Sequence, residues 1–484
     1  MADFPKNLAY TLKQLSYFTK QTVKVMPDRT SVNFGEVSRF KLPASALIDF
    51  RTLSIFGDVS LYTGGVGTAA ANYAYHMPRN GLNSCIQQIT ITCNGVQLCN
   101  INDYNLLYNT LIDLEGADVS QITKRLLENP DPSVYFSQGN TAAALSPIAV
   151  TYAVAGDNAA NTGEAARPMA INNFLGFISS LSTPVLDLND CGDIFIEIRW
   201  AQPNVCWGTV NANINSGYIA TTNCKIDNLR LTVAKINFEN SDYYDLKNQK
   251  LTSDGLMVGY YDYFTSRGTA VQKSAGVSMN FNVNTNSLDQ CIATFQYSDY
   301  NTIKPLVLHG AMAVGAGNTT NFNAALFSSE VSNDETTATI GDYFNNSYYF
   351  CRPATDLQYS QWTINSTNID PYPLPPAEIF NQNLIALGNQ NLDFGTGGVH
   401  GGCVSLWHFL KYYFAHILSL ENLSGDGSHW RSGLSGNGST INIGYTATFT
   451  SKGGTTNTET ISPVIFCRST KILSIKSGHL ISVV

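Results

Sequence analysis

Charge is what this sequence has least of. Only 13% of its 484 residues are Asp, Glu, Lys or Arg, against roughly 25% in an average soluble protein. No long basic run occurs, so a tight, sequence-independent grip on nucleic acid is not indicated. No apolar stretch reaches the roughly 18 residues of a membrane span. The nearest, Leu406 to Leu420, is interrupted by His408, Lys411 and His416. The opening Met-Ala-Asp-Phe-Pro-Lys has neither the charged start nor the apolar run of a secretory signal, so the chain is expected not to be secreted. Ten cysteines (Cys85, Cys93, Cys99, Cys191, Cys206, Cys224, Cys291, Cys351, Cys403 and Cys467) include no Cys-x-x-Cys pair. Free, mostly buried thiols in a reducing compartment are expected. On the same grounds the glycosylation sequons at Asn318, Asn345, Asn365, Asn422 and Asn437 read as incidental in an Asn- and Thr-rich chain.

Local catalytic patterns are missing as well. Gly64-Gly-Val-Gly67 lacks the Gly-Lys-Ser/Thr ending of a phosphate loop and reads as a turn. Asp187-Leu-Asn-Asp-Cys-Gly192 begins like a calcium loop, but Cys191 stands at its fifth position and Ile198 at its twelfth, so a turn between strands is expected. His400, His408 and His416 are evenly spaced. Neither a helix nor a strand brings residues eight apart onto one ion, and core or surface histidines are the better reading. Ser432-Gly-Leu-Ser-Gly436 lacks a glycine that a nucleophile elbow requires. Distant carboxylates can converge in a fold to cleave glycosides, and no local feature favours it. No catalytic, cofactor-binding or metal-ligating residue is therefore assigned, and a protein that is not an enzyme is expected.

What replaces charge is aromatic and turn-forming: 25 Tyr, 24 Phe and 38 Gly, with a net charge of −8 and an isoelectric point near 5.4. Strands joined by Gly and Asn turns follow, and helical bundles do not. Residues 3–25 carry Leu8, Leu12, Leu15 and Phe18 at helical spacing with Lys6, Lys13, Lys20 and Lys24, which predicts a basic helix ended by Pro27. The first β unit is expected from near Phe34. Ile48 to Phe56 alternates with one change of phase, and Ile89-Thr-Ile-Thr-Cys93, Asn94-Gly95, Val96-Gln-Leu-Cys99 calls for a two-residue type I′ hairpin. That register sets Cys93 opposite Val96 and Thr90 opposite Cys99. Asp103 reads as the N-cap of a helix reaching Leu114. An Ala-, Asn- and Gly-rich excursion over Asn129 to Pro168 has the length of a functional or partner-binding loop. Strands resume at Phe174–Leu181 and Ile194–Trp200.

The chain is organised around Lys225–Asp245. Ile226, Leu229, Leu231, Val233, Ile236 and Phe238 mark a buried strand whose phase changes between Val233 and Ala234. A polar connector, Glu239–Asp245, precedes a new strand at Leu256–Phe264. The second half then repeats the first in order. Trp362–Asn368 and the helix from Ala377 to Leu387 mirror Ile89–Thr92 and the helix after Asp103. Tyr413–Leu420 mirrors Phe174–Leu181, Ile441–Phe449 mirrors Ile194–Trp200, and Val464–Val484 mirrors the central strand. The fold class expected is all-β: a double jelly roll of two eight-stranded β-sandwiches in tandem, each with a short inserted helix, plus an N-terminal helical arm. The boundaries are 1–30 for the arm, 31–240 for the first jelly roll and 241–484 for the second.

Four motifs, in this order, carry a resemblance: Phe40-Lys-Leu-Pro with Ile48-Asp-Phe-Arg-Thr-Leu; the Cys-Asn-Gly-Val hairpin before Asp103-Tyr-Asn-Leu-Leu-Tyr; the central strand with Tyr243-Tyr-Asp-Leu; and His429-Trp-Arg-Ser-Gly-Leu-Ser. Together they resemble the double jelly-roll major capsid proteins of polinton-like viruses and virophages. The resemblance implies homotrimeric, pseudo-hexagonal hexon capsomers that tile an icosahedral shell around double-stranded DNA. It further implies penton and minor capsid proteins as partners, and an internal membrane or basic core protein met by residues 1–30. A location in the virion capsid after synthesis in the host cytoplasm or nucleus follows from it, as does the absence of sequence-specific nucleic-acid binding. Two other readings fit a β-rich chain: a carbohydrate-binding or glycoside-hydrolysing β-sandwich, and a trimeric receptor-binding spike or fibre.

Overall fold

Alternation of buried and exposed side chains decides the layers. In Ile194–Trp200 the residues Ile194, Ile196, Ile198 and Trp200 are buried while Glu197 and Arg199 are exposed. One face of that strand therefore belongs to a core, and each fully buried Ile contributes about 2 kcal/mol of transfer free energy. The computed structural model describes most residues within 18–63, 73–75, 81–114, 137–138, 167–209, 222–300, 348–387, 406–421, 433–451 and 456–483. These are the described residues below.

Eight strands form the main paths of the first sandwich's two sheets. They are β1 (Phe18–Val25), β2 (Val37–Lys41), β3 (Leu47–Thr63), β4 (Ile86–Cys93), β5 (Val96–Asn102), β6 (Val185–Asp187), β7 (Ile194–Trp200) and β8 (Thr222–Phe238). One sheet runs β1-β8-β3-β6 and the other β2-β7-β4-β5, all antiparallel. Helix α1 (Tyr104–Leu114) follows β5, and single helical turns α2 (Phe177–Ser180) and α3 (Leu188–Cys191) flank β6. A small three-stranded sheet of Tyr73–Tyr75, Ser137–Gln138 and Trp207–Thr209 stands apart from the two layers.

Helix α4 (Ser241–Ser253) leads into the second sandwich. Its strands are β9 (Leu256–Arg267), β10 (Val277–Val283), β11 (Leu288–Tyr297), β12 (Leu357–Ile364), β13 (Thr367–Asn368), β14 (His416–Ser419), β15 (Ile441–Phe449) and β16 (Thr460–Lys476), with α5 (Pro376–Ala386) after β13. The sheets run β9-β16-β11-β14 and β10-β15-β12-β13. Each of these strands of the second half thus takes the place of the strand eight earlier, while Arg167–Ile171, paired with β3, and Leu480–Val483, paired with β16, add a strand to each half without such a match. Even the two-residue strand at Val32–Asn33, paired with β8, has its counterpart at Val271–Gln272, paired with β16. The fold is a double jelly roll, each half one sheet packed on another, and one continuous apolar core cluster runs through both halves.

Several expectations need correction. The helix expected over residues 3–25 gives way over its last eight positions to β1, so the first sandwich begins inside the span expected to be an arm; residues 1–17 lie outside the described residues. Thr19, Thr22, Val23 and Val25 are β-branched and stiff at χ1, and pairing with the full length of Leu231–Phe238 outweighs the helical spacing of the lysines. The strand expected at Phe174–Leu181 is the turn α2, and the true counterpart of β14 is β6. The connector Glu239–Asp245 opens α4. Asn94 and Gly95 have φ of 47° and 81°, as a type I′ turn requires, and Cys93 faces Val96. Beyond that a bulge sets Cys99 opposite Ile91 and Thr90 opposite Asn100, which lets Leu98 and Cys99 both turn inward. Asp103 sits at φ 50°, and its carboxylate is engaged by Gln87 and Arg267. The phase change at Val233 is a break in register between Thr232 and Ala234.

The two mirrored hairpins give a paired prediction. Asn365 and Ser366, the counterparts of Asn94 and Gly95, also lie in the left-handed region, at φ 49° and 64°. A Cβ on Gly95 meets nothing within 4 Å, so Gly95→Ala should cost backbone strain alone, about 1 kcal/mol. Ser366→Gly should relieve a similar strain, offset in part by the freedom of glycine in the unfolded chain. Denaturant midpoints should fall for the first and hold or rise for the second.

Candidate functional site

Three kinds of contact close the seam between the sandwiches. The first is backbone to side chain. Strand β9 lies at the edge of its sheet, and its outer N–H groups would otherwise be unpaired. Ser180 Oγ accepts from Tyr261 N at 2.7 Å and Ser182 Oγ from Gly259 N at 2.9 Å, while Ser182 N donates to Gly259 O at 2.8 Å. The second contact is aromatic. Phe177 packs edge-on against Phe50 of its own half (5.8 Å between centroids) and Tyr260 of the other half (5.0 Å). Tyr260 Oη in turn donates to Leu98 O at 2.8 Å, fully buried. The third is a polar cluster at the end of α1. Arg267 Nη2 donates to Asp103 (3.1 Å), Gln87 Nε2 to the other oxygen of Asp103 (2.7 Å), and Tyr349 Oη to Gln87 Oε1 (3.1 Å). Gly176 opens the turn at φ 76°, and a Cβ there would come within 2.8 Å of Cys99 Sγ and Ile101 Cδ1.

Asp187 to Gly192, the stretch that begins like a calcium loop, holds a cation of the chain's own. Asp187 caps α3 by accepting from Asn189 N at 3.0 Å. Lys247 of α4 places its ammonium 2.8 Å from Asp187 Oδ2 and 2.9 Å from Asp190 Oδ2. Both Lys247 and Asp187 are buried. Burial pushes the lysine pKa down, but hydrogen bonds to Asp187 and Asp190 outweigh it, and the net direction is up. Burial and the Asp187 charge raise the neighbouring Tyr243 phenol. Among the described residues no group of three His, Cys, Asp or Glu is close enough to hold a metal ion.

The other sequence candidates separate cleanly. His416 is fully buried between Trp362 and Tyr445, with Ser360 Oγ 2.8 Å from Nδ1 and Gln382 Oε1 2.9 Å from Nε2. Burial lowers its pKa from 6.5 to about 3. His400 and His408 lie outside the described residues. Gly433 N donates to Ser287 Oγ and Leu434 pairs with Leu288, so the backbone there is packed while the Leu434 and Ser435 side chains are exposed; Ser432 lies outside the described residues. Asn365 caps its hairpin, accepting from Asn442 N at 2.9 Å. The other four sequons, Gly64–Gly67 and nearly all of Asn129–Pro168 lie outside the described residues. The seven described cysteines are free and buried. Cys291 and Cys467 face each other on β11 and β16 with sulfurs 3.7 Å apart. Sequence reasoning missed the serine clamp and Lys247, because each works through a partner more than fifty residues away.

Two predictions follow from the buried charges. Lys247→Met leaves two carboxylates without their cation and should destabilise by about 3–5 kcal/mol, read as a lower denaturant midpoint. His416 is neutral in the folded chain, and its folded pKa lies below its unfolded value. Its contribution is therefore complete above pH 6.5 and is lost as pH falls from 6.5 towards 3, by about 1.4 kcal/mol per pH unit. Unfolding curves of the wild type should show that slope, and those of His416→Gln should lack it.

No protein-family model matches the chain, and no curated protein matches it. Solved structures do. PBCV-1 VP54, as fitted into a cryo-EM reconstruction of the virophage Sputnik, is similar over 96% of both chains with a TM-score of 0.58 at 12% identity. The Faustovirus major capsid protein is similar over 95% of this chain and 91% of its own, with a TM-score of 0.51 at 11% identity. The Sputnik virophage structure matches over 97% and 88%, with a TM-score of 0.50 at 12% identity. The chain has the double jelly-roll fold of these viral capsid structures.

Proposed function

We propose that this chain is a viral major capsid protein whose function is assembly. The observation that carries the reading is the strand-for-strand duplication: the two halves repeat the same sheet orders, and the whole of that architecture is shared with viral capsid structures over nearly the full chain. In this reading, residues 31–240 and 241–484 form the two jelly rolls, with the first extended back to β1. Three chains form a capsomer of six jelly rolls with a pseudo-hexagonal outline. Capsomers tile an icosahedral shell around double-stranded DNA, alongside penton and minor capsid proteins. A net charge of −8 makes the chain a poor condenser of DNA, so a basic core protein or a lipid layer lies between shell and genome.

The work in such a protein is done by buried surface, and exposed apolar side chains such as Met257 (56%), Tyr372 (52%) and Ile385 (50%) are available for it. Light scattering on a sizing column tests the reading. Three times the 52.7 kDa of the chain, unchanged on dilution, is the expected mass. A stable monomer at all concentrations would overturn the capsomer.

A further inference from the structure

The buried thiols of this chain divide by what they face. Cys85, Cys93 and Cys191 each direct their sulfur at a backbone carbonyl, of Gly81, Cys191 and Asp187, at 3.7, 3.1 and 3.4 Å. Each is thereby used as a hydrogen-bond donor. Cys467 on β16 and Cys291 on β11 instead point at each other, with 3.7 Å between the sulfurs, and both are fully buried. They are direct partners in an antiparallel ladder, within the row Phe264, Cys467, Cys291 and Leu418 across the four strands of their sheet. Directly opposite residues in such a ladder have Cα atoms about 4.5 or 5.5 Å apart, depending on their place in the hydrogen-bond pattern. Both separations fall within the roughly 4.4–6.8 Å that a disulfide spans. Bringing the sulfurs to bonding distance, about 2.05 Å, therefore takes side-chain rotation rather than a shift of the strands.

We infer that Cys291 and Cys467 are a disulfide site, open in the reduced chain and closed once the protein meets an oxidising small disulfide. The step is a thiol–disulfide exchange. The thiolate of one cysteine attacks a small disulfide such as oxidised glutathione, and one glutathione leaves as a thiol. The thiolate of the second cysteine then attacks the mixed disulfide and releases the other glutathione. One sulfur–sulfur bond forms between β11 and β16 and one breaks in the oxidant. Two electrons pass to the oxidant, and the two thiol protons end on reduced glutathione. Burial and the neighbouring Cys291 push the Cys467 thiol pKa up, so thiolate is scarce while the core is closed. The exchange therefore runs through openings of the sheet, and the same burial shields the finished bridge from reductants. Its effect is large for one bond because it closes a loop of 176 residues, and long loops lose the most freedom in the unfolded chain. It also ties β11 to β16, the strand that carries β9 and with it the seam. The pair belongs to one chain, and its geometry holds whether or not chains assemble.

The test uses full-length protein purified in reductant and moved into oxidised glutathione, in guanidinium chloride held below the unfolding midpoint. Hydrogen exchange of the β11 and β16 amides, followed in the same solution, shows when the sheet has opened. Thiols still free at that point are alkylated in full denaturant, and the chain is mapped by peptide mass. The expected product links the Cys291 and Cys467 peptides, two hydrogens lighter than their sum, and leaves Cys85, Cys93 and Cys191 alkylated. Its unfolding equilibrium constant should be smaller than that of the reduced chain by at least about thirtyfold, and reduction in denaturant should abolish the difference. Cys467→Ala should lose both the link and the stabilisation, while Cys93→Ala should keep both. Recovery of Cys291 and Cys467 as alkylated thiols or as separate glutathione adducts, after the amides have exchanged, overturns the inference. So does a bridge that makes the chain easier to unfold.

Discussion

A jelly roll is built from sheets with ends, and the backbone of an end strand must find partners somewhere. The edge of β9 is the place where this chain meets that requirement internally, and much of its architecture follows. Ser180 and Ser182 reach the open N–H groups of β9 only because α2 is a turn and not a strand. As a strand, the same residues would present their hydroxyls alternately to opposite faces. The turn in turn depends on Gly176, whose positive φ and lack of a side chain let it pass Cys99 and Ile101. Phe177 is then left pointing between Phe50 and Tyr260, which carries the core of the first sandwich into the second. Helix α4 spans the same junction on the polar side, fixed by Lys247 against Asp187 and Asp190.

The scarcity of charge takes on a sharper meaning once the buried charges are counted out. Asp49, Lys247, Asp262, Lys273, Asp289 and Arg352 are all buried. Most are held by a mate or by hydroxyls, as Lys273 is by Glu459 and Asp289 by Ser287 and Thr470. Among the described residues the remaining surface charge is spread unevenly between the halves. On the outer face of the β2-β7-β4-β5 sheet, Arg39 and Lys41 lie over the Phe195 ring, beside Glu197 and Arg199. The matching face of the second sandwich shows Ser278, Asn280, Asn282, Gln361 and Thr446. Duplicate sheets with unlike outer faces suit a molecule whose two halves meet different neighbours.

The sequence disclosed what depends on local alternation and on turn chemistry. Val277 to Val283, Ile194 to Trp200 and the Asn94-Gly95 hairpin were legible because a two-residue period and positive φ leave marks in adjacent residues. The duplication was legible in the order of these elements. Three things were hidden for one reason: they are settled by a partner distant in sequence. The segment Phe18–Val25 is a strand because β8 pairs with it, and Phe174–Leu181 is not one because β9 needs its serines. The bulge at Leu98 exists to bury two neighbours at once. The candidate site was hidden for the same reason, since a surface made of an edge and a turn has no motif. For His416, spacing left core and surface both open, and the structure shows a core residue.

A fold kept at 12% identity over 96% of two chains says which features of the sequence carry it. Alternation survives replacement of one apolar residue by another of similar size, since cores tolerate substitution when pattern and volume are kept. The two halves of this chain show the same tolerance between themselves. Asn94-Gly95 and Asn365-Ser366 turn equivalent hairpins with different residues in the left-handed region. The counterpart of β6, three residues long, is a four-residue β14. What both halves keep is the order of their strands. Strand order fixes which edges and faces each half presents, and so it persists while the residues that build it change.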